Sequence, residues 1–177
     1  MLKAKLDILG ISCAIGFVTI LLILGTATNG FINSVSAQQQ QVIATLTGSK
    51  GVPPIKTPAT GIATFILSAG GKSLNYVLKV RNIHSVIGAH IHKGNAQQNG
   101  PVVLILFGNP TMTGPPTGAV NGVLSKGTST ASDLQGPLAG KQLSDLVNLI
   151  KSGNAYVNVH TTQNPKGEIR GQITAGS

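Results

Sequence analysis

The chain has 177 residues, a formal net charge of +9 and only 3% aromatic residues. Its basic residues are scattered singly with few aromatic side chains between them, which argues against nucleic-acid binding, because single strands are held in basic grooves with aromatic stacking platforms. Only three carboxylates follow residue 37, too few and too dispersed for the paired acids of a glycosidase.

Residues 1–37 have the pattern of an export signal. Two lysines precede an uncharged apolar run over residues 8–24, and a small, polar stretch ends in Val35-Ser36-Ala37. These are the parts of a secretory signal peptide, but the run is also just long enough to span a bilayer, which takes about 17–25 residues. We therefore expect cleavage near Ala37 or an uncleaved membrane anchor, and an extracytoplasmic location in both cases, either secreted or held at the membrane.

The remaining residues, 38–177, have the usual length of a single domain with its own core. The only cysteine, Cys13, lies in the leader. The domain therefore has no disulfide and must be stabilised by packing alone. We expect it to be a monomer.

Segments with strand periodicity follow one another along the first two thirds of this domain. The sequence between residues 73 and 81 is the clearest, because apolar residues alternate with polar ones as in an antiparallel sheet with one buried face. Glycine- and proline-rich loops separate the segments. Strands are predicted at residues 42–47, 61–67, 73–81, 86–92, 102–107 and 119–126.

One segment near the carboxyl end is helical instead. Apolar residues between Leu143 and Ile150 recur at i, i+3, i+4 and i+7, and Gly153 stands where a helix would end. Two more strands are predicted, one ending at His160 and one over residues 168–174. Seven or eight short strands and one helix predict an all-β domain, a Greek-key β-sandwich.

Three histidines have a spacing typical of metal ligands. His90 and His92 share one face of their strand, because side-chain direction repeats every two residues. His160 shares the polar face of another strand with Asn158. Neutral imidazole is a usual ligand of copper and zinc, so one hypothesis is a metal site in which Asn158 orients an imidazole. The alternative is that the histidines hydrogen-bond loops at the rim of the fold.

Other polar residues give weaker indications of a functional site. His84 is a remote candidate for a fourth ligand, since it lies in a predicted turn. Glu168 and Arg170 face the same way, which predicts an ion pair or contacts with neighbouring loops, and less readily an anion site at Arg170. There is no nucleophile elbow, phosphate loop or dinucleotide motif. An enzyme is therefore the least supported class, and no catalytic residue is assigned.

Four motifs occur along the domain in a distinctive combination. They are His-Ile-His-Lys-Gly at residues 90–94, Asn-Gly-Pro-Val-Val at 99–103, Gly-Asn-Ala-Tyr-Val-Asn-Val-His-Thr at 153–161 and Asn-Pro-Lys-Gly-Glu-Ile-Arg-Gly-Gln-Ile at 164–173. Together they resemble the CHRD domain family. The resemblance covers about residues 41–174 and implies an all-β extracellular domain, without implying an activity.

A weaker resemblance is to copper–zinc superoxide dismutase, a sandwich that also presents a His-x-His pair to copper. This chain has too few histidines and aspartates for a second metal, so a dismutase is a remote alternative. The leading hypothesis is a cell-surface or secreted binding module that recognises an envelope or extracellular protein or glycan. The alternative is a copper- or zinc-binding domain with His90, His92 and His160 as ligands.

Overall fold

The computed structural model describes residues 40–109, 111–112 and 114–176. The predicted signal peptide or anchor, residues 1–37, lies outside the described residues. Among the described residues, no helix is both long and apolar enough to cross a bilayer.

The described residues form nine strands and one α-helix, with three short 3-10 turns between them. The six strands predicted before the helix are all present, and each begins within one residue of its predicted start. The last predicted strand is divided into two. The elements are β1 (Gln41–Thr47), β2 (Thr60–Leu67), β3 (Leu74–Ile83), β4 (Val86–Lys93), β5 (Val102–Gly108), β6 (Val120–Ser129), α1 (Leu143–Lys151), β7 (Ala155–Thr161), β8 (Ile169–Gln172) and β9 (Thr174–Ala175).

The strands pair antiparallel in one continuous sheet, in the order β5-β4-β7-β8-β1-β2-β3-β6, with β9 beside β1. The first and last strands of this order, β5 and β6, approach each other. The hydroxyls of Tyr76 on β3 and Ser125 on β6 both donate to the carbonyl of Leu106 on β5, at 3.0 and 2.6 Å. The sheet is thus nearly barrel-shaped.

This architecture differs from the predicted sandwich of seven or eight strands. A sandwich and a curled single sheet impose the same alternation of buried and exposed side chains along each strand. The sequence pattern therefore predicts the strands correctly but does not distinguish two sheets from one.

The helix packs on the core through Leu143, Leu146 and Ile150, which are buried. Asp145 lies in the first turn of the helix, and its side chain accepts a hydrogen bond from the backbone N–H of Gln142 at 2.9 Å. A negative charge at this position also interacts favourably with the helix dipole. Gly153 follows the helix with a φ of 71°, which glycine adopts readily. The predicted helix and its end are confirmed.

Candidate metal centre

The three histidines lie on the outer face of the sheet. On β4 and β7, Ala89 pairs with Val159 and Ile91 pairs with Val157, and all four side chains belong to the hydrophobic core. Side chains alternate between the two faces of a strand, so the residues between them point away from the core. The pairs on this outer face are Gly88 with His160, His90 with Asn158 and His92 with Tyr156.

The structure brings His90, His92 and His160 together in one cluster. One ring nitrogen from each lies within 4.8 Å of the others. The ring centroids are 5.8 Å apart for His90 and His92, 5.0 Å for His90 and His160, and 5.6 Å for His92 and His160. His84 lies outside this group; its side chain is exposed, and its Nδ1 lies 3.3 Å from the Ser85 hydroxyl.

Although they face outward, all three imidazoles are buried, with exposed fractions of 1%, 8% and 4%. Connecting segments cover them. Nδ1 of His92 lies 2.9 Å from the carbonyl of Gly100, in the loop between β4 and β5. Nδ1 of His160 lies 3.0 Å from the carbonyl of Pro165, in the turn between β7 and β8.

These two contacts determine which nitrogen carries the proton. A carbonyl oxygen only accepts hydrogen bonds, so Nδ1 of each ring must be the donor. Nε2 of His92 and of His160 then carries a free lone pair. Both Nε2 atoms are buried and have no hydrogen-bond partner among the described residues. Fixing the tautomer through the second nitrogen is the usual arrangement of metal-binding histidines.

His90 differs from the other two. Neither of its ring nitrogens has a hydrogen-bond partner among the described residues, and both are buried. The backbone of Asn109 lies beside the ring and slightly favours its protonated form. An unsatisfied buried polar group costs about 1–3 kcal/mol, so this ring is held in the cluster at an energetic cost.

The surroundings keep all three imidazoles neutral. Burial, with repulsion from His92, lowers the pKa of His90 to about 4. Burial, with repulsion from His90 and His92, lowers the pKa of His160 to about 4. Burial also lowers the pKa of His92, and the positive charge of Arg170 contributes. At neutral pH each ring is in the form that donates a lone pair to a metal.

Copper or zinc fits this donor set. Imidazole nitrogens bind zinc at about 2.0–2.1 Å, which in a tetrahedral site places them about 3.3 Å apart. The nitrogens of the cluster lie within 4.8 Å of one another. Small side-chain movements toward the centre would therefore bring the three nitrogens to the distances of metal ligands.

Asn158 acts on the cluster through the turn after β7. Its side-chain amide donates to the carbonyl of Lys166 at 3.0 Å, next to the Pro165 carbonyl that accepts from His160. A Cβ atom on Gly167 would collide with the Asn158 side chain. Asn158 therefore holds the turn whose Pro165 carbonyl orients His160. The role expected from the sequence, that Asn158 orients an imidazole, would be exerted through this turn.

A stack of three side chains supports His92 and was missed by the sequence analysis. The Tyr156 ring lies parallel to that of His92, with centroids 5.0 Å apart and an interplanar angle of 8°. The guanidinium carbon of Arg170 lies 3.7 Å from the Tyr156 centroid. Tyr156 is buried, and its strand β7 lies between β4, which carries His92, and β8, which carries Arg170. The spacing of residues within one strand does not indicate a stack built across three strands.

Arg170 contacts a neighbouring loop, and Glu168 contacts a loop residue and the end of β7; loop contacts are one of the three arrangements predicted. Nη2 of Arg170 donates to the carbonyls of Asn95 and Gln98 at 2.6 and 3.0 Å, in the loop that covers His92. The two carboxylate oxygens of Glu168 accept hydrogen bonds from hydroxyl groups of Thr57 and Thr161 at 2.7 and 2.8 Å.

The family model described as the CHRD domain matches residues 42–173. No curated protein matches the chain.

Proposed function

The chain belongs to the CHRD domain family, and on this premise we propose that it binds one transition-metal ion, copper or zinc, through His90, His92 and His160. The observation that carries the proposal is the convergence of three buried, neutral imidazoles, of which two have Nε2 lone pairs left free by hydrogen bonds at Nδ1.

A purely structural role explains the cluster less well. His92 and His160 do anchor the covering loops through their Nδ1 atoms. His90 makes no comparable hydrogen bond to a covering loop, and both of its buried ring nitrogens lack a partner among the described residues. An apolar side chain of similar size would avoid that cost. A metal ion accounts for all three rings together, because it would replace the missing partners.

Calorimetric titration of the full chain with Cu(II) and with Zn(II) tests the proposal. We expect saturation near one equivalent, with copper bound more tightly than zinc, as in the usual affinity order. His92→Ala and His160→Ala should each weaken binding at least tenfold. His84→Ala is the matched control and should bind like the unmodified chain. The proposal fails if no saturable binding is found, or if both cluster variants bind as tightly as the unmodified chain.

A broader role as an exported binding module is the second candidate. A cleft of about 320 Å³ is lined by Gly51, Val52, Pro53, Ile55, Asn99, Asn158, residues 163–167 and Arg170. Lys166 at its edge is exposed, and the positive net charge favours an acidic envelope polymer. Co-sedimentation with isolated envelope polymer should be weakened by Lys166→Glu more than by Lys126→Glu, which lies outside the cleft. Equal weakening by the two variants would contradict this role.

We also propose an extracytoplasmic location, secreted or held at the membrane. This location is supported by the sequence of the leader, in which two lysines precede the apolar run over residues 8–24. Cell fractionation with immunodetection tests it, and recovery of the chain in the cytoplasm would contradict it.

A further inference from the structure

The side chain of Met112 lies beside the histidine cluster. Its Cγ is 3.2 Å from the point where a Cβ of Gly88 would stand, and Nε2 of His90 is 3.3 Å from the same point. Met112 and His90 therefore both border the position of a Gly88 side chain, and Cγ of Met112 and Nε2 of His90 can be no farther apart than the sum of those two distances. The thioether sulfur is the next atom along the side chain, bonded directly to this Cγ.

Two backbone features accompany this arrangement, one at Gly88 and one at Met112. Gly88 pairs with His160 on β7, and any side chain at Gly88 would occupy the space that His90 and Met112 share. Met112 has a φ of 54°, which is uncommon for a residue other than glycine. Its N–H donates to the carbonyl of Asn109 at 3.1 Å. This turn places the methionine over β4.

The charges around the cluster favour an ion of low charge. The three imidazoles are neutral donors, and no carboxylate among the described residues joins the cluster. The buried guanidinium of Arg170 lies against Tyr156, which stacks on His92. A divalent ion would place two uncompensated positive charges near that guanidinium, whereas a monovalent ion would place only one. Buried charge without a partner of opposite sign is costly.

We propose that Met112 is the fourth ligand of the cluster and that the completed site holds Cu(I) in preference to Zn(II). Thioether sulfur is a soft ligand that selects Cu(I), while imidazole binds both metals. This inference rests on the proposed function, since it needs the three histidines to bind a metal.

The test compares the full chain with its Met112→Leu variant, both carrying Cys13→Ser so that no thiol competes for copper. Leucine conserves the volume of methionine. Cu(I) affinity is measured anaerobically by competition with bicinchoninate, and Zn(II) affinity by calorimetry. We expect Met112→Leu to weaken Cu(I) binding at least tenfold and to change Zn(II) affinity less than twofold. X-ray absorption of the Cu(I) form should show one sulfur scatterer that Met112→Leu removes.

The outcomes separate this inference from the proposed function. If Met112→Leu binds Cu(I) as tightly as its parent while His160→Ala loses both metals, the methionine ligand is wrong and the histidine site stands. A sulfur scatterer that persists in Met112→Leu would come from Met1, the remaining sulfur-containing residue, and would also overturn the inference. If the parent binds neither metal, both the proposed function and this inference fail.

Discussion

Acid should destabilise the metal-free domain through the histidine cluster, at a pH well above that at which carboxylates protonate. The folded protein holds the pKa values of His90 and His160 at about 4, whereas the unfolded value is 6.5. Between these two pH values the unfolded chain binds protons that the folded chain does not. Protons therefore favour unfolding, and the free energy of unfolding rises with pH until about 6.5 and is then constant.

The magnitude follows from the size of the two shifts. Each histidine contributes about 1.4 kcal/mol per pH unit inside the window. Lowering the pH from 7 to 5 should therefore remove about 4 kcal/mol for the two residues together. The lowered pKa of His92 acts in the same direction. This loss is a large part of the total stability of a typical domain, which is about 5–15 kcal/mol.

The assay is urea unfolding followed by circular dichroism at several pH values from 7.5 to 5, with a chelator present to keep the protein metal-free. His90→Leu removes one titrating group without adding a buried polar atom. It should therefore reduce the dependence of the unfolding free energy on pH by about 1.4 kcal/mol per pH unit.

His84→Ala, which changes an exposed side chain outside the cluster, should leave that dependence unchanged. The reasoning is refuted if the unfolding free energy of the unmodified chain is the same at pH 7 and pH 5. It is equally refuted if His90→Leu keeps the full dependence, because the destabilisation would then arise elsewhere.

Three further predictions concern stability and the covering turn. Residues 38–177 alone should form a monomer with a β-rich circular dichroism spectrum that thiol reductants leave unchanged; a helix-dominated spectrum or unfolding by reductant would contradict this. Gly167→Ala should lower the free energy of unfolding by about 3 kcal/mol in urea titrations, because the new Cβ collides with Asn158, whereas Gly118→Ala, with nothing within 4 Å, should cost far less. Asn158→Ala should release the Lys166 carbonyl and weaken copper binding about tenfold by calorimetry; unchanged affinity would show that the turn does not orient the ligand.

Local periodicity in the sequence determined the elements of this fold. Alternation along residues 73–81 and the i, i+3, i+4, i+7 pattern from Leu143 predict a strand and a helix correctly, because each depends on one segment burying its own apolar face. The shared face of His90 and His92 follows from the same two-residue period. The combination of histidine, glycine and Asn-Pro motifs indicated the family that the family model identifies.

Only the tertiary structure decided how these elements meet. The order of strands places His160 beside β4 and curls one sheet nearly into a barrel. The alternation of side chains along one strand does not show which other strand it pairs with. The same holds for the loops that bury the outward-facing histidines, for the stack of Arg170 on Tyr156 and for the approach of Met112 to Gly88. These contacts join a strand to a loop or to another strand, so the spacing of residues within one segment does not determine them.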